Sequence, residues 1–62
     1  MTVKAFSANV EIEPGLVVEF FWGGFRVIEG QLKLGTPAWE RVERIWFDPG
    51  DGCIHERRAA NG

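Results

Sequence analysis

The sequence predicts an all-β fold, a small antiparallel barrel or meander of four to five strands. Three observations carry this. Apolar and polar residues alternate over 2–13. Two apolar runs flank a Gly-Gly pair in residues 16–28, LVVEFFWGGFRVI. Turn-forming residues cluster at Glu13-Pro14-Gly15 and again at Asp48-Pro49-Gly50-Asp51-Gly52. The alternative is an antiparallel sheet with one helix at about 37–47.

In the first segment Phe6, Ala8, Val10 and Ile12 fall on one side, and Ala5, Ser7, Asn9, Glu11 and Glu13 on the other. That is the pattern of a half-buried strand with one wet face. Pro14 presets φ and Gly15 supplies the positive φ of a type II turn, so the strand ends there.

The central stretch reads as a hairpin. Gly23 and Gly24 both tolerate positive φ, as a two-residue loop of type I′ or II′ requires. With that loop Trp22 faces Phe25, Phe20 faces Val27 and Val18 faces Glu29. Leu16, Val18, Phe20, Trp22, Phe25 and Val27 then share one face, and Val17, Glu19, Phe21, Arg26 and Ile28 the other. Phe21 and Arg26 become cross-strand neighbours with a cation–π contact in reach. The second face carries Val17, Phe21 and Ile28, which also want cover. Either the remaining strands wrap both sides or a second chain covers one. Further on, Ile28, Leu32 and Leu34 are out of phase with Phe25 and Val27, which predicts a bulge near Glu29-Gly30.

Gly35-Thr36-Pro37 breaks the pattern. Thr36 and Pro37 suit the N-cap and first residue of a helix, and Trp39, Val42, Ile45 and Trp46 lie at helical spacing. The β-formers crowding 45–47, followed by the aspartate-glycine turn, favour a different division. A short helical turn over 37–41 leads into a strand at 42–48, paired with residues 52–58. Residues 1–58 form a single β domain, and residues 59–62 a frayed tail.

A chain of 62 residues buries only about 60% of its unfolded-state surface. With one cysteine it has no internal disulfide to compensate, so its stability must come from a dense aromatic core or from self-association. Eight aromatics, five Phe and three Trp, serve either purpose. The net charge of −2 and pI near 5.2 argue against sequence-independent duplex binding, which needs a basic footprint. Basic side chains concentrate in the second half, at Lys33, Arg41, Arg44, Arg57 and Arg58. No stretch reads as a signal peptide or a bilayer span, and the lone cysteine fits a reducing cytoplasm.

Motifs that carry chemistry are sparse. Cys53 and His55 are two apart and point to one side of a strand, so two copies across a two-fold axis would be needed for a zinc site. Asp48 and Asp51 read as turn-forming aspartates, since a calcium loop needs further oxygen ligands at set spacing. Ser7 lies on the wet face of the first strand, and a Cys53–His55 nucleophile would need side chains that meet, an oxyanion donor and a pocket. Phosphate loops, dinucleotide fingerprints and hydrolase elbows are absent. The expectation is therefore no catalytic residue, no cofactor and no metal.

The fold expectation is completed by a half-open barrel of SH3-like or OB-like form, with a core drawn from Phe6, Val10, Val18, Phe20, Trp22, Phe25, Val27, Ile45 and Phe47. The functional expectation is a non-catalytic protein-interaction module that associates with itself or another protein. Its interface is Val17, Phe21, Trp22, Phe25 and Ile28, because large exposed apolar patches mark interfaces and Trp, Phe and Arg are enriched there. The alternative is a small-barrel binder of single-stranded nucleic acid, holding it by stacking and phosphate contact through Trp39, Arg41, Arg44, Trp46, Arg57 and Arg58. No family signature is evident. Compact chains of this kind resemble the accessory proteins of phages and other mobile elements, a resemblance of association only.

Overall fold

The computed structural model describes residues 6–58. The elements are β1 (Ser7–Glu13), β2 (Leu16–Phe21), β3 (Gly24–Glu29), α1 (Pro37–Glu43), β4 (Ile45–Asp48) and β5 (Cys53–Glu56). The start of the expected first strand, residues 2–5, and the expected frayed tail, residues 59–62, lie outside the described residues. β1, β2 and β3 form an antiparallel meander, and β4 and β5 a separate antiparallel hairpin. Five antiparallel strands are thus present, but among the described residues they do not close into a barrel. The fold follows the alternative, a sheet with one short helix. Barrel closure would need β1 and β3 to be bridged. Instead α1 and β4 lie against one face of the meander.

The central hairpin has a different register from the one expected. Phe20 faces Phe25, Glu19 faces Arg26 and Phe21 faces Gly24. The loop is therefore Trp22-Gly23. Only Gly23 takes a positive φ, +91°, while Trp22 does not, which is the sign pattern of a type II turn. This register puts the Glu19 carboxylate 2.6 Å from Arg26 Nε and the Phe20 and Phe25 rings 6.0 Å apart. Both are favourable cross-strand pairs. The Phe21–Arg26 cation–π pair is consequently not formed as a cross-strand contact. Because the slip is by two residues, the face assignments along both strands survive it.

Two bulges shape the sheet. One sits in β1 between Glu11 and Glu13, and one in β3, where Val27 faces Val18 but Glu29 faces Val17. Ile28 is the extra residue, one position before the expected bulge. Gly30 follows at φ +87°, packed so tightly on the β1–β2 turn that a Cβ would lie 2.2 Å from the Gly15 carbonyl oxygen. Only glycine fits there.

The core lies between one face of the meander and the α1–β4 unit. Ile12, Leu16, Val18 and Phe20 come from the sheet, Ala38 and Val42 from the helix, and Ile45 and Phe47 from β4. Phe20, Phe47, Val18 and Val42 are essentially solvent-free, each contributing roughly 1.5–3 kcal/mol. Val10 packs against this cluster from its margin. Four expected core residues are exposed. Phe6 is 78% exposed, Trp22 stands at the hairpin apex, and Phe25 and Val27 lie on the core side of β3 but at its margin, where Phe25 meets α1 only through Trp39 and stays exposed.

α1 begins as expected. Thr36 is extended (φ −101°, ψ 158°), its Oγ1 accepts from the Trp39 N–H at 3.2 Å, and Pro37 follows at the first helical position. Ala38 and Val42, four apart, form its buried face. The helix runs to Glu43, not 41 or 47. It stops because the Arg44 carbonyl accepts from the Arg57 N–H at 2.8 Å, which commits the chain to the β4–β5 ladder. Arg41 ties the layers together, donating to the Ile12 carbonyl at 3.0 Å and to Glu56 at 3.2 and 3.4 Å.

Candidate functional site

An apolar cleft of about 450 Å³ opens beside the tip of the central hairpin. Its wall is built from Phe21, Trp22, Gly23, Gly24 and Phe25. Val42 and Ile45, both buried, form the floor, Trp46 completes the apolar lining, and Glu43 and Arg57 supply charge. Each aromatic is placed by a local rule. Trp22 occupies the first position of a two-residue loop, so it projects beyond the ladder and is 70% exposed. Phe25 leans on Phe20 and meets Trp39 edge-on, with centroids 6.3 Å apart and an 80° interplanar angle. Trp46 precedes Phe47 on β4. Strand alternation buries Phe47 and turns Trp46 outward, where it stacks on His55 at 5.4 Å and 18°.

The cleft merges two sets of residues that the sequence kept apart. Phe21, Trp22 and Phe25 belong to the expected interface. Trp46 and Arg57 belong to the expected nucleic-acid set. The other members lie elsewhere. Val17 is half-buried on the open face of the meander, and Ile28 is exposed at the bulge. Trp39 is half-buried behind Phe25. Arg41 is engaged by Glu56 and Ile12. Arg44 caps α1, with its Nε buried and unpartnered among the described residues. Arg58 is exposed beyond β5. Glu43 was not singled out from sequence, and nothing in its local pattern marks it.

The open face of the meander is part polar. Glu19 accepts from Ser7 Oγ at 3.0 Å and from Arg26 Nε at 2.6 Å, so one carboxylate joins all three strands. The Arg26 hydrogen bond, followed by that from Ser7, holds the Glu19 carboxyl below its ordinary range.

A second cluster occupies the β4–β5 turn. Donor atoms of Asp48, Asp51 and His55 lie within 4.8 Å of one another. Its geometry is that of a capped turn: Asp48 Oδ1 accepts from the Gly50 N–H at 2.7 Å and Asp51 Oδ1 from the Cys53 N–H at 2.9 Å. Asp51 Oδ2 sits 2.8 Å from His55 Nε2. The Cys53 amide first, and His55 second, lower the Asp51 carboxyl. The Cys53 thiol donates to the Asp51 carbonyl at 3.5 Å. Asp51, not Cys53, is therefore the polar neighbour of His55.

Comparison with family models, curated proteins and solved structures finds no match. Among the described residues no helix is long and apolar enough to cross a membrane.

Proposed function

We propose that this chain is a non-catalytic, self-associating interaction module whose contact surface is the aromatic cleft. The observation that carries the reading is the clustering of Phe21, Trp22, Phe25 and Trp46 around one hollow. All four are exposed, at 37%, 70%, 37% and 41%. Contiguous exposed apolar surface of this kind is rare unless it is covered by a partner. Trp and Phe are types that concentrate at the centres of interfaces. A chain of 62 residues also gains most from burying it, since a core of this size is marginal. The exposed thiol of Cys53 supports a reducing, cytoplasmic location, where it would stay unpaired.

The test is solution mass by light scattering across a hundredfold dilution series, for the wild type and for Trp22→Ser. The expected result is a concentration-dependent oligomer in the wild type and a monomer in the variant. Trp22 is exposed and its loss should leave the fold intact, which far-UV circular dichroism checks. A wild type that is monomeric throughout would refute self-association.

A second reading draws on the same cleft. Trp22, Trp46 and Arg57 together supply two stacking surfaces and a cation, the elements of a single-strand binder. Glu43 in the same lining and the engagement of Arg41 by Glu56 weigh against it. Tryptophan quenching by a single-stranded oligonucleotide, lost at high salt, would favour this reading over the first.

A further inference from the structure

Resting on the cleft as the self-contact, we propose that two copies join about a two-fold axis, each inserting Trp22 into the other's cleft, with Glu43 of each facing the partner's Arg57. An isologous contact uses the same patch twice, so the patch must complement itself in shape and charge. This one meets both conditions. Trp22 is a protrusion at the apex of a loop, and it borders a 450 Å³ apolar hollow whose floor is Val42 and Ile45. Reciprocal insertion seats one indole in each hollow and covers both indoles.

The charges point to the same occupant. Glu43 and Arg57 line the cleft, both are exposed, and neither has an ion-pair partner among the described residues. A two-fold axis passing between them brings each against its opposite, twice. A uniformly anionic or cationic ligand would leave one of them facing like charge.

The alternative route to self-association, strand addition, is guarded in the three-stranded sheet. The edge strands β1 and β3 each carry a bulge, with Glu11 and Glu13 on one and Arg26 and Glu29 on the other. Bulges and charges are the usual protection of sheet edges. Because the exchange consumes both knobs and both hollows, assembly closes at two copies. A stable interface takes about 800 Å² from each partner, roughly one-sixth of this chain's 4762 Å² surface.

The experiment is sedimentation velocity of the full chain over a dilution series at constant salt. It compares the wild type, Trp22→Ser, Glu43→Arg, Arg57→Glu and an equimolar mixture of the two charge variants. Each charge variant alone turns two attractions into two repulsions, and its dimer should weaken roughly tenfold. Mixed, they restore both pairs in a heterodimer, and association should return to the wild-type level. If Trp22→Ser abolishes association while the charge variants behave alike singly and mixed, the two-fold pairing is overturned and the cleft remains the contact. A wild-type species that grows past the dimer with concentration overturns closure. A wild type that stays monomeric overturns the pairing and the self-association beneath it together.

Discussion

Replacing Gly30 with alanine is expected to cost about 3 kcal/mol of stability, more than the same change at Gly15. Both glycines have nearly the same backbone conformation, φ +87° and +86°. An L-residue in that region costs roughly 1–2 kcal/mol, and this part should be common to both variants. They differ in surroundings. A Cβ at Gly15 meets nothing within 4 Å. One at Gly30 would lie 2.2 Å from the Gly15 carbonyl oxygen and 3.0 Å from Leu16 Cα. Ordinary contact requires the end of β3 to lift by about 1 Å from the β1–β2 turn. Overpacking of this kind costs about 1–3 kcal/mol. A domain of this length has only about 3–9 kcal/mol to lose, so the Gly30 variant should melt about 12–24 °C lower. The assay is urea and thermal unfolding followed by tryptophan fluorescence and circular dichroism, with all samples at one protein concentration because association adds apparent stability. If Gly30→Ala and Gly15→Ala lose the same amount within about 0.5 kcal/mol, the close approach at Gly30 does not constrain the fold.

Two further changes probe the core and the open face. Phe47→Ala removes a ring that is 1% exposed and should cost about 3–5 kcal/mol, enough to unfold much of the population; a loss below about 1 kcal/mol would mean that β4 does not close the core. Glu19→Gln tests the three-strand carboxylate. The folded-state pKa of Glu19 lies below its ordinary 4.5, so its contribution to stability is present above that value and is lost as pH falls through the lower, folded-state pKa. The stability gap between wild type and variant should be steady from pH 7 to about 5 and narrow in stronger acid, as read from melting temperature against pH; a gap that ignores pH would refute the assignment.

Much of the local structure was legible in the residues. Pro14-Gly15 makes the first turn, Thr36-Pro37 starts the helix, and the aspartate-glycine run separates β4 from β5. Each of these signals acts within a few residues, through φ preferences or side-chain capping. The bulge in β3 was legible to within one position, because the apolar phase changes at Ile28. The hairpin register was not. Gly23 and Gly24 can each supply a positive φ, and loops one position apart satisfy the backbone alike. Cross-strand pairing of Glu19 with Arg26 and Phe20 with Phe25 accompanies the choice.

The cleft was beyond local reading. Phe20 and Phe25 share a face and a chemistry, yet one is buried and the other exposed, because α1 and β4 cover only part of the meander. The site draws on residues 21–25, 42–46 and 57, three segments that no periodicity connects. Sequence by itself determined the strand count, the first and last turns and the helix start, since these follow from backbone preference and alternation. Only the tertiary structure decided which apolar side chains remain in water and which rim charges share their cleft, because coverage of a sheet depends on where distant elements come to rest.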